Sequence, residues 1–282
     1  MSSIFMRFPE GKKKALTLSY DDGVEQDIRL ISIMQQHGLK GTFNLNSGCY
    51  AKEGTNYEKG TIHRRMTKNQ ATSIYENSGM EIAVHGLTHP FLEQLPAKLC
   101  VREIVADREN LEKQFHRIIR GMAYPFGTYN NQVIECLKQA DIVYARTVKS
   151  TGDFRIPEDW HQLDPTCHHG DVRLKELTHK FVEESPERAP WLFYLWGHSY
   201  EFESDENWDV IEAFADIISN KSDIWYATNI EIYEYVNAYK QLRFSMDGSI
   251  VHNPTAFDLY FVKNTRDFCI EAGKTKEIII SK

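Results

Sequence analysis

The sequence lacks the features of a disulfide-rich, membrane-spanning or nucleic-acid-binding protein. Its five cysteines are an odd number, widely spread and without a Cys-x-x-Cys pair, so we expect neither a disulfide scaffold nor a zinc finger. No apolar run approaches the ~20 residues of a membrane span, and the longest clear one extends only from Trp191 to Trp196. The net charge is −7, which argues against binding to nucleic acid or to an anionic membrane.

A signal-peptide pattern is also missing at the amino terminus. The lysines at positions 12–14 follow the short apolar stretch instead of preceding it. We therefore expect a cytoplasmic protein, although a chain trimmed of a leader would look the same. What is present is an ordinary globular composition, and 282 residues are enough to bury a core without disulfides or metal.

Strand-like and helix-like segments alternate through the first 240 residues. The pattern predicts strands at 15–20, 40–46, 80–84, 121–124, 142–146, 192–196 and 224–226. It predicts helices at 24–37, 68–77, 99–119, 130–140, 174–184, 208–219 and 231–239. Such alternation with short connections indicates a parallel sheet covered by helices, and about seven or eight units favour a barrel over an open sheet.

The last forty residues have a different pattern. Short strand-like segments lie at 242–244, 249–252, 259–262 and 277–280, and Asp247-Gly248 is typical of a hairpin turn. We therefore expect a barrel over residues 1–240 and a small β appendage over residues 241–282. The simplest role for the appendage is to cover one edge or end of the barrel, and a separate ligand-binding module is the alternative.

Polar residues follow several of the predicted strands. In parallel α/β folds the active site collects where strands end at their carboxyl edge. The residues at these points are Asp21 and Asp22, His85 and His89, Tyr124-Pro125-Phe126-Gly127, and His198. They are far apart in the sequence, and the fold would bring them to one face.

The adjacent acids Asp21 and Asp22 are the first candidates. Successive side chains point in different directions as a strand ends, so one acid can bind a cation while the other remains free as a base. The alternative is a turn in which one acid caps the helix that starts near Val24.

Three histidines are further candidates. His85 and His89 are four residues apart, and a helical turn after the strand would place both on one side of a metal ion. His198 follows a buried strand through a glycine, which suits a proton donor. The alternatives are two unrelated loop histidines and a hydrogen-bonded core histidine.

Taken in order, these elements resemble the polysaccharide deacetylase family, the NodB-homology group of carbohydrate esterase family 4. The resemblance covers about residues 15–240 and rests on Leu-Ser-Tyr-Asp-Asp-Gly, His-x-x-x-His, Tyr-Pro-Phe-Gly and Trp-Gly-His. The stretches Arg146-Thr147, 166–169 and Trp-Gly-His-Ser-Tyr-Glu-Phe look like a subgroup labelled gellan-lyase-like.

The resemblance implies a distorted, incomplete (β/α)7-type barrel, a divalent metal ion and a role for each motif. Asp22, His85 and His89 would hold the metal, which we expect to be zinc, with cobalt, nickel or manganese as alternatives. Asp21 would be the general base and His198 the general acid. The backbone N–H of Phe126 would bind the oxyanion, within a substrate segment that includes Tyr124 and Pro125.

The chain departs from the family pattern in three places. Tyr20 stands where the family usually has phenylalanine, which is a minor change. Ala123 stands where the family has an arginine that orients the base, and Arg146 is a candidate replacement. The fourth motif is poorly matched, with Asp159-Trp160 as its counterpart. The nearby His168 and His169 would either add a contact to the site or lie in an exposed polar loop.

The expected activity is the removal of acetyl groups from an N-acetylated or O-acetylated saccharide. Trp196, Tyr124, Phe126 and Trp160 are candidates for stacking on sugar rings, with core packing as their alternative role. A second hypothesis is hydrolysis of a non-sugar C–N bond on the same metal site. A third is a carbohydrate-binding barrel that has lost catalysis, which Ala123 favours. The acidic stretch from Glu201 to Asp209 suggests a solvated helix start, with a preference for a cationic or neutral substrate as the alternative. The sequence leaves the oligomeric state open.

Overall fold

The computed structural model describes residues 4–278, in which all the elements predicted between residues 15 and 239 are present. The strands are β1 (Ile4–Arg7), β2 (Lys14–Asp21), β3 (Gly41–Leu45), β4 (Glu81–Val84), β5 (Gly121–Ala123), β6 (Tyr144–Arg146), β7 (Cys167–His168), β8 (Trp191–Gly197), β9 (Ile224–Tyr226), β10 (Arg243–Phe244), β11 (Ile250–His252), β12 (Leu259–Lys263), β13 (Arg266–Ile270) and β14 (Thr275–Glu277). The helices are α1 (Asp27–Gln36), α2 (Lys68–Tyr75), α3 (Ala97–Phe115), α4 (Asn131–Gln139), α5 (Leu174–Glu183), α6 (Ser199–Ser204), α7 (Trp208–Ile218) and α8 (Asn229–Tyr239). None of these helices is both long and apolar enough to cross a membrane.

One curled parallel sheet positions the candidate site. Its strand order is β6-β5-β4-β3-β2-β8-β7, and β9 also pairs with β2. Every residue of β2 is buried, because neighbouring strands flank it and helices cover the sheet. Among residues 4–278 no ladder joins β6 to β7, so the sheet forms an incomplete (β/α)7-type barrel, and the predicted fold class is confirmed.

All ladders of this sheet are parallel, so the carboxyl ends of its strands share one edge. Asp21 ends β2 and Arg146 ends β6 at this edge. His85 directly follows β4, and His198 directly follows β8. Four residues that are distant in the sequence therefore meet at one edge of the barrel.

Two small antiparallel sheets lie outside the barrel. Their strand orders are β1-β12-β13 and β10-β11-β14, so the amino-terminal strand β1 pairs with the carboxyl-terminal β12. The predicted turn at Asp247-Gly248 lies between the paired strands β10 and β11. The strand predicted at 277–280 overlaps β14 only at Glu277, and positions 279 and 280 lie outside the described residues. The division at residue 240 stays a prediction.

The buried carboxyl group of Asp27 connects helices α1, α2 and α6 through hydrogen bonds. Asp27, in the first turn of α1, accepts hydrogen bonds from the Tyr75 hydroxyl of α2 and the Ser199 hydroxyl of α6, each at 2.5 Å. The backbone N–H of Val24 also donates to it, at 3.2 Å. Burial raises the pKa of Asp27 to about 7, although these three hydrogen bonds act in the opposite direction.

Replacing Asp27 by asparagine is expected to remove part of the pH dependence of stability. A raised pKa means that the folded state holds a proton between about pH 4 and pH 7, so this group's contribution to stability falls as pH rises through that window. The difference in unfolding free energy between wild type and Asp27→Asn should change by about 4 kcal/mol across this pH window. Urea unfolding of both proteins from pH 4 to pH 8 measures this difference, and parallel stability curves would contradict the prediction.

Candidate active site

The backbone turns sharply after β2, at the two adjacent acids. Asp22 has a φ of 85° and Gly23 a φ of 63°, both in the left-handed region. A non-glycine residue is held there at a cost of about 1–3 kcal/mol, which is typical of functional sites. Because a helix cannot start through this conformation, α1 begins only at Asp27. The alternative that one of the two acids caps a helix starting near Val24 is therefore wrong.

Asp21 is buried and contacts basic side chains on two sides. Arg146 donates from Nη2 to Oδ2, and Asn44 donates to Oδ1 at 2.8 Å. The Nε2 atoms of His85 and His198 each lie 3.8 Å from Oδ2. Burial by itself raises the pKa of Asp21, but Arg146 and the two histidines outweigh burial and hold the pKa below its usual range. Asp21 is therefore ionised at neutral pH.

Asp22 has partners that the sequence did not reveal. His63 Nε2 lies 3.1 Å from Oδ2, and Arg65 Nη2 donates to Oδ1 at 2.9 Å. Arg65 also donates to the backbone carbonyl of Asp22. Burial raises the pKa of Asp22, but the His63 hydrogen bond and the Arg65 charge hold it far below its usual range. The available sequence signal was the basic triplet of residues 63–65, which lies between the strand predicted at 40–46 and the helix predicted at 68–77.

His85 and His89 approach each other through a tight turn rather than through the helical turn that their spacing suggested. Gly86 has a φ of 76° and His89 a φ of 56°, and α3 begins only at Ala97. The Nε2 atoms of His85 and His89 lie 4.0 and 3.8 Å from Asp22 Oδ1. His85 Nδ1 lies 2.8 Å from the carbonyl oxygen of Ala123, which orients Nε2 toward the carboxylate.

The set Asp22, His85 and His89 fits a divalent metal ion. One ligand atom from each residue lies within 4.8 Å of the other two. Burial lowers the pKa of both histidines, that of His89 to about 4 with the help of neighbouring His85, so their lone pairs are free at neutral pH. Three protein ligands leave a coordination position open, which is typical of catalytic rather than structural zinc sites.

Arg146 lies in the strand next to the alanine that interrupts the family pattern. The parallel register of β5 and β6 pairs Ala123 with Arg146. The Arg146 side chain is fully buried, and its guanidinium lies 4.4 Å from the centre of the Trp196 ring. The guanidinium that contacts Asp21 therefore comes from one strand farther along the sheet.

His198 lies between Asp21 and a second carboxylate. Its Nδ1 is 3.2 Å from Glu201 Oε1, while its Nε2 faces Asp21. Burial lowers the pKa of His198, but Glu201 and Asp21 outweigh burial and raise it. Glu201 also lies 3.0 Å from His168 Nε2 and 3.2 Å from His169 Nε2.

The expectation of a solvated helix start fails at Glu201, which contacts histidines instead. The sequence signal for this contact was its place three residues after His198. The side chain at this position reaches back to the backbone N–H of the residue that caps the helix, here His198.

The aromatic candidates fall into an exposed and a buried group. Phe126, with a φ of 58°, is 51% exposed, and its ring centre lies 4.4 Å from that of His89. It stacks on Phe91 at 3.9 Å. Pro125 is buried before it, and Tyr124 is 1% exposed, with its hydroxyl donating to the carbonyl of His161. Tyr124 therefore packs into the protein rather than offering a ring face to a sugar.

Two further candidates also pack away from the metal-type cluster. Trp160 is buried, and its ring packs edge-on against Tyr233 of α8 at 5.2 Å. Asp159 accepts hydrogen bonds from the backbone of His161 and the side chain of Gln162. In the described part of the chain, neither residue has a polar contact with Asp21, Asp22 or the site histidines. Trp196 is buried, with Arg146 against its ring, so it too lacks an open stacking face.

Comparisons with known proteins agree with this geometry. Residues 9–145 match the family model described as polysaccharide deacetylase, and a search of curated proteins found no match. A Mycobacterium smegmatis structure described as a polysaccharide deacetylase is 15% identical with a TM-score of 0.58, and the alignment covers 85% of this chain and 96% of that chain. A family 4 carbohydrate esterase from Streptomyces lividans, solved with acetate, is 13% identical with a TM-score of 0.50, covering 77% and 93%.

The deacetylase PplD from Streptococcus pyogenes, solved with acetate, is 22% identical with a TM-score of 0.40. The alignment covers 47% of this chain and 55% of PplD, so this chain spans about half of that protein. At these identities the structural likenesses show the fold alone, and the gellan-lyase-like subgroup stays a prediction.

The matched segment contains Asp21, Asp22, His85 and His89 and ends one residue before Arg146. His198 lies beyond it, on the same edge of the same sheet. The segment 9–145, just under half of the chain, therefore matches the polysaccharide deacetylase family.

Proposed function

We propose that this protein is a metal-dependent hydrolase that removes acetyl groups from an N-acetylated or O-acetylated saccharide. The observation that carries the proposal is the three-ligand set Asp22, His85 and His89 beside Asp21 and His198 on one barrel edge. The match of residues 9–145 to the polysaccharide deacetylase family supports hydrolytic deacetylation. Two imidazoles and a carboxylate suit zinc, and the same ligands accept cobalt, nickel or manganese.

Each residue has a defined task in this reaction. A divalent ion at this site supplies a Lewis acid and lowers the pKa of water from ~15.7 toward ~7. Asp21 accepts a proton from the attacking water, since Arg146 keeps it ionised. The Phe126 N–H donates to the developing oxyanion, a contact typically worth ~2.7–4 kcal/mol. His198 protonates the departing nitrogen or oxygen, which leaves acetate and a free amino or hydroxyl group.

Metal analysis tests the ligand set directly. The purified protein is expected to bind about one divalent ion per chain, and Asp22→Ala and His89→Ala are expected to lose it, because each removes one of only three protein ligands. Mass spectrometry of the metal after dialysis, together with acetate release, measures both effects. His179→Ala is the matched control, since His179 lies on α5 with its side chain 44% exposed and, among residues 4–278, its ring hydrogen-bonds only with Glu183. A protein that stays metal-free with all three residues intact would defeat the proposal.

A substrate panel separates this proposal from its alternatives. Acetate release from chitooligosaccharides and acetyl esters, and ring opening of cyclic amides, would be measured side by side with metal-replete protein. We expect release from the acetylated saccharides. Turnover of cyclic amides alone would support the non-sugar C–N hydrolase, and saturable glycan binding without release would support a binding barrel.

A further inference from the structure

We propose that Glu201 is the positioning residue for His198 and that His168 and His169 hold Glu201 in place for this task. The inference rests on the proposed function, in which His198 donates the proton to the leaving group. It adds three residues to the reaction: a carboxylate in the first turn of α6 and two histidines at and after the edge strand β7.

Four nitrogen atoms lie within hydrogen-bond distance of the Glu201 carboxylate. Oε1 lies 3.2 Å from His198 Nδ1, and Oε2 accepts the backbone N–H of His198 at 3.2 Å. His168 Nε2 and His169 Nε2 lie 3.0 and 3.2 Å from Oε2. With Nδ1–H directed at Glu201, Nε2 of His198 faces Asp21 at 3.8 Å and is the nitrogen that meets the substrate.

Close packing around His169 fixes the orientation of its ring. It is 3% exposed, and its ring stacks between Phe202, with ring centres 4.0 Å apart, and Tyr20, at 5.8 Å. A side chain at Gly197 would begin 2.0 Å from His169 Nδ1, so this glycine permits the close approach. The His169 ring, which contacts Glu201, is therefore held between the core and the end of β8.

The tautomer of His168 favours this role over a second metal site. His168, His198 and Glu201 offer ligand atoms within 4.8 Å of one another, so a metal ion is the competing explanation. However, His168 Nδ1 accepts the backbone N–H of Gly170 at 3.0 Å. A neutral imidazole that accepts at Nδ1 carries its proton on Nε2, and this N–H points to Glu201 rather than leaving a lone pair for a metal.

Glu201 contacts His198 on the side of the ring that faces away from the substrate. Its negative charge favours the protonated form of His198. The titratable groups around His198 are Asp21 and Asp22 at the end of β2, Glu201 and Tyr200 on α6, and the pair His168 and His169. Of these, only Glu201 contacts Nδ1. Loss of its charge should lower the pKa of His198 and release the ring from its present orientation.

The test is Glu201→Gln, with Glu201→Asp as the variant that keeps the charge. We expect Glu201→Gln to lower kcat about 10- to 100-fold with little change in KM. We also expect the basic limb of the pH profile to move to lower pH, because the protonated acid is lost earlier. The NMR titration of His198 should move down by about one unit or more, with or without turnover. Glu201→Asp should recover part of both effects.

Glu203→Gln is the matched control, since Glu203 lies on the same helix and pairs with Arg64 at 2.7 and 2.9 Å. It should leave the His198 titration unchanged. An unchanged titration in Glu201→Gln, or a second bound ion that Glu201→Gln removes, would overturn the inference. An inactive wild type with a shifted titration would overturn the proposed function and leave the Glu201–His198 contact supported.

Discussion

Replacing Asp21 by asparagine is expected to lower kcat for acetyl release by about 10²- to 10⁴-fold while about one metal ion per chain remains bound. Asparagine has nearly the shape of aspartate but cannot accept the proton of the attacking water. Asp21 is not one of the three predicted metal ligands, so the substitution leaves all three in place. Steady-state kinetics on an acetylated saccharide, with metal content measured on the same samples, checks both halves of the expectation.

Asn44→Ala is the control for Asp21→Asn. It removes the donor to Oδ1 of Asp21 but leaves the carboxylate and its contact with Arg146, so its loss of kcat should be much smaller. Because Asp21→Asn also leaves Arg146 without a charged partner, both variants are assayed below their unfolding transitions. Retention of most of the wild-type kcat by a metal-loaded Asp21→Asn protein would show that another group is the base.

Replacing Arg146 by methionine is expected to cost about 3–5 kcal/mol of unfolding free energy and most of the activity. The pair is buried on both sides, so the variant leaves the Asp21 carboxylate without its cation. Burial then dominates and raises the pKa of Asp21, which shifts the base toward its protonated, inactive form. Methionine places an apolar side chain near the Trp196 ring but loses the cation–π contact that the guanidinium makes. Chemical denaturation and kcat at neutral pH measure the two losses.

The double variant Asp21→Asn/Arg146→Met separates stability from catalysis. Removing both charges leaves no unpaired ion, so much of the stability is expected to return while the activity stays low. Arg146→Lys, which keeps the charge but not the planar fork, should lie between wild type and Arg146→Met. Equal stability losses in the single and the double variant would show that Arg146 acts through packing alone.

The barrel was predictable because its signals are local. Apolar strands that alternate with helices, such as those leading into Asp21 and His198, predict a parallel sheet from periodicity alone. The short strand β7, the six-residue helix α6 and the strands β1 and β13 were not predicted. The pairing of β1 with β12 was missed because a four-residue strand at the amino terminus has no local signal for a partner some 250 residues away.

The candidate site divides in the same way. Asp21, Asp22, His85, His89 and His198 were identifiable as candidates because each lies within five residues after a predicted strand, and parallel strands end at one edge. The tight turn that joins His85 to His89 was not predicted, since their spacing alone suits a helix equally well. Tyr124, Asp159 and Trp160 lie in or near the motifs in the sequence. In the structure, Tyr124 and Asp159 form hydrogen bonds outside the candidate site, and Trp160 packs against Tyr233.

The sequence by itself determined the order of the elements, the parallel barrel and the candidate residues at its carboxyl edge. Only the tertiary structure decided which charges surround them. Strand register placed Arg146 beside Ala123, a distant loop brought Arg65 to Asp22, and the packing of β7 against β8 brought His168 to Glu201. The physical reason is that a strand and its final residue are specified by neighbours in the chain. A buried ion pair depends instead on how separate segments pack, and no local pattern records that packing.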